Sequence, residues 1–396
     1  MKKLCLGLLL ALFLLGGILK AETTFNQELK YVGGISRGQK YTLGKFPVLI
    51  VKGSFRDMGR QYGKLLKEEI RRFYAHLKKE LLDKPGFPEE KYARMIELLY
   101  QRYPERMRQM LEGMAESSGL SPDKIVLLDN AVLLAQLEED YFECSALTAW
   151  GEYTGGRPLV QARSFDFVPG FKKFNDTLAL VVLKPDDGSC PAMIFVNAGQ
   201  ISSVHAFNVR GLCIEANLGQ PGDDSKPEEP ASTLLNLTQF MLDSGNFATL
   251  ETLTTSTRVS LPLLFTLADS KQAVCCEADR NAYRVRAAKG SGFLAVTNHF
   301  IAPSWGPELL NAYRPPTGST SLTRFDNLAY WAKKYKGEIT PDKMLKLLAT
   351  PVAQGGVLKE DTITQYVYQP QNQELWVRAP GYQEWVKVPL KDLFGW

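Results

Sequence analysis

Hydrophobic residues recur at helical spacing through the first third of the chain. Between residues 56 and 82 they return every three to five positions, which predicts a helix; these residues are Met58, Tyr62, Leu65, Ile70, Phe73 and Leu77. A second helical pattern spans about 88–117, and Pro104 within it predicts a kink or a break. Ser121 and Pro122 predict the N-cap and first residue of a third helix that runs through 137. A short apolar run at 46–52 predicts a strand ahead of these helices.

After residue 140 the pattern changes to short β-strands, with Gly155-Gly156 and Asp187-Gly188 as turns. The predicted strands are 145–153, 157–163, 177–184, 192–197, 203–209, 212–217, 263–270, 273–277, 283–287 and 293–297, followed by a hairpin of 363–369 with 374–378. Helices are predicted at 231–244, 247–256, 321–335 and 340–348, and an acidic, proline-rich surface loop at 221–230. Runs of strands and runs of helices, without strict alternation, predict an α+β fold.

The first 21 residues have the pattern of an export signal. Lys2 and Lys3 precede a mostly apolar stretch from Leu4 to Leu19, and the small residue Ala21 follows near its end. The stretch is slightly short for a full membrane span, and an uncleaved anchor is the alternative. We predict a signal at 1–21 and a protein that is exported, to the periplasm or the medium, with no stable membrane span after the signal is removed.

The composition is that of a globular protein, because 45% of its 396 residues are hydrophobic and 23% are charged. The formal net charge is +4, and removal of residues 1–21 takes away three lysines and no acid, which leaves 4 − 3 = +1. With no Lys/Arg-rich run, this charge gives no reason to expect a nucleic-acid partner. The histidines His76, His205 and His299 lie far apart and lack zinc-site spacing. No metal and no cofactor is therefore predicted.

The cysteines give the first indication of chemistry. Cys5 lies in the signal, so five remain, and an odd number in an exported protein leaves at least one thiol unpaired. Cys144 opens the first predicted strand of the β-rich body and is followed by small residues, so it is a candidate nucleophile. The alternative is a buried structural cysteine.

Arg163 and Asp166 end the strand that returns toward Cys144. Antiparallel pairing brings the end of the second strand beside the start of the first, so both side chains are expected near Cys144. A cation beside a thiol lowers its pKa, and a carboxylate there can orient an amine or a substrate. A salt bridge at the rim of the sheet is the alternative.

Two further segments carry candidate polar groups. Asn298 ends an apolar strand, and its side-chain amide suits a developing oxyanion, although a turn residue is the alternative. Arg324 opens an amphipathic helix, where it could equally be a surface charge.

Five segments in order resemble one family. They are Gly53-Ser54-Phe55-Arg56-Asp57-Met58-Gly59-Arg60-Gln61-Tyr62-Gly63, the Cys144 segment, Arg163-x-x-Asp166, Thr297-Asn298-His299-Phe300 and Ser321-x-x-Arg324. The sequence from about 46 to 350 resembles the N-terminal-nucleophile (Ntn) hydrolases of the acyl-coenzyme A:6-aminopenicillanate acyltransferase type, which are related to choloylglycine hydrolases and acid ceramidase.

The resemblance implies a four-layer αββα sandwich and a chain cut just before Cys144. A helical part, 22–143, would then become the α-chain, and 144–396 the β-chain. Cys144 would be the nucleophile and, through its new α-amine, the general base. Asp166 would position the amine, Arg163 would polarise the thiol and the substrate carbonyl, Asn298 would donate to the oxyanion, and Arg324 would support the site electrostatically. Asn217 stands where relatives carry a second oxyanion contributor, a weaker match.

Residue 143 is Glu, where the acyltransferase resembled has Gly, so this side chain either hinders or assists self-cleavage. An exported location disfavours coenzyme A as acyl donor and therefore favours hydrolysis. We predict an exported cysteine amidohydrolase that cleaves a non-peptide C–N amide bond of an N-acylated small molecule or lipid. The alternatives are an acyltransferase with the same nucleophile, a non-catalytic binding protein with the same fold, and a cysteine protease, which needs a Cys–His pair.

Overall fold

The computed structural model describes residues 27–83, 89–138, 143–219, 233–259, 261–287 and 292–395. The predicted export signal and the predicted loop at 221–230 lie outside these ranges. Among the described residues, no helix combines the length and the apolar character that crossing a bilayer requires.

Helices dominate the N-terminal third and recur later as two groups. The α-helices are α1 Phe55–Leu65, α2 Lys67–Leu77, α3 Glu89–Arg102, α4 Glu105–Ser118, α5 Pro122–Asp129, α6 Ala131–Glu138, α7 Thr233–Asp243, α8 Phe247–Ser256, α9 Gly306–Ala312, α10 Ser321–Lys334, α11 Pro341–Ala349 and α12 Leu390–Phe394. The break predicted at Pro104 is confirmed, since α3 ends at Arg102 and Pro104 caps α4.

Within the described residues the strands form two sheets. The strands are β1 Lys30–Ile35, β2 Gly38–Leu43, β3 Phe46–Gly53, β4 Glu143–Ala149, β5 Val160–Asp166, β6 Leu178–Pro185, β7 Ala192–Asn197, β8 His205–Asn208, β9 Cys213–Leu218, β10 Leu263–Ala268, β11 Ala273–Ala278, β12 Tyr283–Ala287, β13 Phe293–Val296, β14 Thr362–Gln369, β15 Glu374–Ala379 and β16 Gln383–Val388. One sheet has the order β1-β2-β3-β6-β7-β8-β9-β10-β11-β12, and the other β13-β4-β5-β14-β15-β16. Neighbouring strands are antiparallel except β3 and β6.

Alternate residues of each strand serve two different apolar cores, as the two-residue period of a strand requires. Leu180 and Phe195 of the larger sheet share one buried cluster with Tyr366 and Val377 of the smaller sheet. The opposite face of the larger sheet packs on α1–α8. The opposite face of the smaller sheet packs on α10 and α11. The molecule is thus a mixed α and β fold with two sheets between groups of helices.

Two helices predicted as continuous are broken. The predicted helix 56–82 ends at Leu65 and restarts at Lys67, because Leu66 leaves helical geometry with φ −112° and ψ 25°. The helix predicted from 121 to 137 breaks at Asn130, whose side chain donates to the Val126 carbonyl at 2.8 Å. Such local side-chain bonds compete with a continuing helix.

The strand predicted at 157–163 lies three residues further along, at Val160–Asp166. The first strand ends at Ala149, and Gly151–Thr154 form a 3-10 turn. Pro158 has no N–H to contribute to a sheet, so it stays in the connection. The predicted bounds of these two strands were therefore wrong, although their pairing is confirmed.

The glycine-rich motif at 53–63 explains how α1 packs on α4. A Cβ at Gly59 would lie 2.1 Å from the Met110 carbonyl oxygen, and one at Gly63 would lie 2.5 Å from that of Met114. Only glycine permits this backbone contact. Ser54 caps α1 by accepting from Asp57 N at 3.2 Å. These motif residues therefore build the helical layer.

Candidate active site

The hairpin of β4 and β5 brings three predicted residues together. Cys144 pairs with Phe165, Ala146 with Arg163, and Glu143 with Asp166. Because side chains alternate along a strand, Cys144 and Arg163 share the face toward the larger sheet, whereas Glu143 and Asp166 share the opposite face.

Three backbone and side-chain atoms of Cys144 are each held by a different predicted residue. Its backbone N donates to Asn298 Oδ1 at 2.8 Å. Its Sγ accepts from Arg163 Nη2 at 3.4 Å. Its carbonyl oxygen accepts from Arg324 Nη1. Cys144 is buried, so these contacts fix its position at the start of β4.

Asn298 contacts the backbone nitrogen of Cys144 through its side-chain oxygen. Its Oδ1 accepts from Cys144 N and also from Arg324 Nη2 at 3.0 Å, while its Nδ2 donates to the Leu218 carbonyl at 2.8 Å. Two donors facing one atom identify it as the oxygen. The Asn298 side chain therefore holds the Cys144 nitrogen, and its donation to an oxyanion stays a prediction.

Arg163 is buried and has several acceptors. Its guanidinium donates to the carbonyls of Val204, at 3.0 Å, and Ala216, at 2.6 Å. Glu215 Oε2 lies 3.7 Å from Nη1 and accepts from the Tyr366 hydroxyl at 2.5 Å. Burial raises the pKa of the Cys144 thiol, and the Arg163 charge opposes that effect. The cation thus acts in the predicted direction, but burial outweighs it in the intact chain.

Asp166 is also buried. Its Oδ1 accepts from Thr362 Oγ1 at 2.6 Å and from Ser164 Oγ at 2.9 Å, whereas Oδ2 has no hydrogen-bond partner among the described residues. Burial raises the pKa of Asp166 to about 6, against the opposing charge of Arg324. This carboxyl can therefore change its protonation state near neutral pH.

Arg324, near the start of α10, donates hydrogen bonds to Cys144 and Asn298 and forms an ion pair with Glu143. Its Nη1 also donates to Ser145 Oγ at 2.7 Å, and its Nη2 lies 3.3 Å from Glu143 Oε1. The side chain is fully buried, so the alternative of a surface charge is wrong.

Asn217 lies on β9, facing the end of β13. Its Nδ2 donates to the Thr297 carbonyl at 3.1 Å, and its buried Oδ1 has no partner in the described part of the chain. The amide donors thus bind backbone carbonyls here, and no hydrogen bond joins Asn217 to Cys144 in the described part of the chain.

The histidines do not form a Cys–His pair. Burial lowers the pKa of His299 to about 4, and its Nδ1 lies 2.8 Å from Ser321 Oγ. Burial also holds the pKa of His205 well below its usual value. Within the described residues, neither imidazole hydrogen-bonds to Cys144, and no group of three or more His, Cys, Asp or Glu side chains could hold a metal ion.

A small, partly open cavity adjoins this site. Its apolar lining includes Phe165, the cross-strand neighbour of Cys144, with Phe195, Leu234 and Ile363, and its polar lining includes Asp129, Gln200 and Ser202. The lining also includes Val204, whose carbonyl binds Arg163.

Sequence reasoning missed the residues that support the cavity. Asp129 Oδ1 accepts from the backbone N–H groups of Ile201 and Ser202 at 2.6 and 2.7 Å. The Tyr62 hydroxyl donates to the Gln200 carbonyl at 3.0 Å. Tyr62 belongs to the motif at 53–63, which the sequence analysis had singled out. Asp129 lies in an ordinary helical pattern, and nothing in the sequence marks it.

No family model and no curated protein matches the chain. Solved structures that resemble it include the following three. An N-acylethanolamine-hydrolyzing acid amidase ortholog from Caenorhabditis elegans is 14% identical over 57% of this chain and 93% of its own, with a TM-score of 0.45. Conjugated bile acid hydrolase from Clostridium perfringens is 10% identical over 63% of this chain and 94% of its own, with a TM-score of 0.42. Penicillin V acylase from Agrobacterium tumefaciens is 10% identical over 63% and 88%, with a TM-score of 0.41.

Proposed function

We propose that this protein is an exported amide hydrolase of the Ntn type whose nucleophile is Cys144. The observation that carries the proposal is the set of contacts on one residue: Asn298 at its nitrogen, Arg163 at its sulfur and Arg324 at its carbonyl. A structural cysteine needs none of these contacts. The two sheets between groups of helices support the four-layer αββα arrangement.

The intact chain lacks the base that this chemistry needs, because Cys144 N is part of a peptide bond. We therefore include a cut between Glu143 and Cys144. The Cys144 thiol attacks the Glu143 carbonyl carbon, the C–N bond breaks as the nitrogen takes up the thiol proton, and water hydrolyses the resulting thioester. The products are a Glu143 carboxylate and a free α-amine on Cys144.

The same two groups then act on a substrate. The α-amine takes the thiol proton, which is easy because unperturbed pKa values of about 7.7–8.0 and about 8.5 lie close together. Sulfur adds to the amide carbonyl, and the departing nitrogen receives the proton from the ammonium as the C–N bond breaks. Water, deprotonated by the amine, hydrolyses the thioester and restores the thiol.

The neighbouring residues have distinct roles in this scheme. Asn298 keeps the nitrogen beside the sulfur, and Arg163 stabilises the thiolate. Asp166 and Arg324 fix the end of the strand and balance the charges there. The second N–H of the Asn298 amide can donate a hydrogen bond to the oxyanion. The apolar side of the small cavity, at Phe165, Phe195 and Ile363, is where the acyl part of an N-acylated small molecule or lipid would begin.

Intact-mass analysis and N-terminal sequencing of the purified protein test the maturation step. We expect two fragments, the larger beginning at Cys144, and an uncut chain for Cys144→Ala. Cys190→Ala is the matched control, since Cys190 is another free and partly accessible cysteine. It should be cut and active like the wild type. An active wild type that stays uncut contradicts the proposed maturation.

Product analysis on a panel of N-acyl amides tests the reaction itself. Hydrolysis releases the free acid and the amine in equal amounts, and this ratio should hold when another amine is added. Transfer of the acyl group to the added amine would identify an acyltransferase. Specific binding without turnover, unchanged in Cys144→Ala, would identify a non-catalytic binding protein.

A further inference from the structure

A buried ion pair outside the thiol site holds the chain on both sides of Asn298. Glu277 lies on β11 of the larger sheet with its side chain 0% exposed, and Arg286 lies on the neighbouring β12 with 16% exposed. Arg286 Nε donates to Glu277 Oε1 at 3.0 Å. Taking two charges out of water is costly unless further hydrogen bonds satisfy both groups. The other partners of this pair therefore show what it holds.

The Glu277 carboxylate binds the chain that follows Asn298. Its Oε1 also accepts from the backbone N–H of Ile301 at 3.1 Å, and its Oε2 accepts from that of Ala302 at 3.0 Å. Oε2 also accepts from the indole Nε1 of Trp305 at 2.9 Å. Both carboxylate oxygens thus accept from donors that come shortly after Asn298 in the chain.

Arg286 binds the chain that precedes Asn298. Its Nη1 donates to the carbonyl of Ala295 at 3.1 Å. Ala295 belongs to β13, which stands at one edge of the smaller sheet among the described strands. The outer side of an edge strand has no neighbouring strand to supply such a donor. Because Arg286 is itself joined to Glu277, one buried ion pair binds the chain before and after Asn298.

Asn298 depends on these flanking contacts because it lies beyond the strand. β13 ends at Val296, so the hydrogen-bond ladder of the sheet does not extend to Asn298. Its backbone N donates to Ser321 Oγ at 2.9 Å, which fixes the residue at one point. The direction of its side chain is then set by the chain on either side.

We infer that the Glu277–Arg286 pair positions Asn298 and, through Asn298, the backbone nitrogen of Cys144. In the described part of the chain neither side chain hydrogen-bonds to Cys144, so both are positioning residues. A shift of the flanking chain lengthens the 2.8 Å contact between Asn298 Oδ1 and Cys144 N, and hydrogen bonds weaken steeply away from their preferred geometry. The effect on turnover rests on the proposed function, whereas the effect on this contact does not.

Hydrogen exchange of the residue 144 amide tests the positioning directly. The uncut Cys144→Ala chain keeps this N–H, and fragmentation mass spectrometry measures its exchange rate relative to the amides of β14 in the same sheet. In that background, Asn298→Ala removes the acceptor and should speed exchange about tenfold, the effect of one lost hydrogen bond.

Glu277→Gln should speed the same exchange about threefold or more. Donors face both carboxylate oxygens, so the glutamine NH2 group opposes some of them whichever way it turns. Arg286→Met removes the contact with Ala295 and should act in the same direction, which keeps the test decisive if the Glu277 variant does not fold. Combined with Asn298→Ala, either change should add nothing further, because the contact that it positions is already lost.

The control is Asp279→Ala, in the turn between the same two strands. Asp279 Oδ1 accepts from the backbone N–H groups of Asn281 and Ala282 at 2.7 and 2.6 Å, and its Oδ2 accepts from the Tyr313 hydroxyl at 3.3 Å. This variant removes a buried carboxylate from the same hairpin and no hydrogen bond to residues 295–302. It should leave the relative exchange rate of residue 144 unchanged. Equal effects of Glu277→Gln and Asp279→Ala, or effects of Glu277→Gln and Asn298→Ala that add, would overturn the positioning role.

Hydrolysis of octanoyl p-nitroanilide extends the test to the reaction, with Cys144 intact. We expect kcat per titrated active thiol to fall about tenfold in Glu277→Gln, with KM changed less than about twofold, because the amine is displaced and the cavity is not. Unchanged exchange beside normal hydrolysis would overturn the positioning role and leave the proposed hydrolase standing. Faster exchange beside unchanged kcat would support the positioning role and contradict the part of Asn298 in the proposed reaction. The exchange result decides the positioning role whether or not this probe is hydrolysed.

Discussion

The buried carboxyl of Asp166 makes a prediction that separates stability from activity. Oδ2 of Asp166 has no hydrogen-bond partner among the described residues, and only Oδ1 is satisfied, by Ser164 and Thr362. Asp166→Asn keeps an oxygen for these two donors and removes the charge. We expect this variant to be more stable than the parent at neutral pH and much less active.

The magnitude follows from the pKa. Burial raises the pKa of Asp166 from its usual 3.8 to about 6, against Arg324 and Lys359. Each pKa unit corresponds to about 1.4 kcal/mol, so ionised Asp166 destabilises the fold by about 3 kcal/mol.

The sign sets the pH window. The Asp166 carboxyl binds its proton more tightly in the folded protein than in the unfolded chain. The free energy of unfolding of the parent therefore has its full value below the unfolded pKa of this group. It falls as the pH rises through the folded pKa of about 6. The advantage of the Asn variant should therefore be near zero at pH 4 and reach its full value above pH 7.

Urea unfolding at several pH values measures this difference. Both proteins should carry Cys144→Ala, so that each remains a single chain and unfolds reversibly. The measured quantity is the difference in free energy of unfolding between the Asn variant and its parent. If this difference is no larger at pH 7.5 than at pH 4, the reasoning is refuted. That result would mean that Asp166 is ionised and satisfied in the fold.

Further predictions concern the groups around the thiol. Arg163→Met should raise the pH midpoint of Cys144 alkylation and lower kcat/KM by roughly 10²-fold. Glu215→Gln should lower this midpoint, because the Arg163 guanidinium, 3.7 Å from Glu215, loses its counter-charge. Equal midpoints in both variants would contradict the electrostatic role of Arg163. Asn298→Ala should lower kcat per active thiol by roughly 10²–10³-fold and slow self-cleavage. Asn298→Asp keeps an acceptor for the Cys144 nitrogen and should recover cleavage more than turnover, whereas normal kinetics in both would exclude Asn298 from the mechanism.

Much of the fold could be predicted because most helices bury one apolar face and the central strands are apolar runs buried on both faces. The sequence did not predict β1 and β2, since Lys30–Ile35 is glycine-rich and largely exposed, and such a strand carries no alternation. It also missed β16 at the other edge, where Gln383–Val388 mixes polar and apolar residues. Edge strands have less to bury, so the pattern that identifies central strands is weak there.

The candidate site could be predicted as far as one hairpin reaches. Cys144 and Arg163 lie on paired strands. Reasoning from the local sequence places them together, even though the second strand begins three residues later than predicted. Lys359 and Thr320 come to Glu143 from 216 and 177 residues away. No spacing rule connects positions that far apart, and an isolated lysine or threonine carries no signal of its own. The orientation of the Asn298 amide depends likewise on Arg324, which only the folded chain brings to it.

Under the proposed maturation, breaking one bond changes the site in two ways. In the intact chain the nitrogen of Cys144 is an amide without basicity, and burial keeps the thiol protonated by raising its pKa. The cut turns that nitrogen into an amine in the place where Asn298 already accepts from it. The new amine also carries a positive charge when it is protonated, and a cation beside a thiol lowers the pKa of that thiol. The same peptide bond that withholds the base therefore also withholds this charge, which keeps the thiol of the uncut chain protonated.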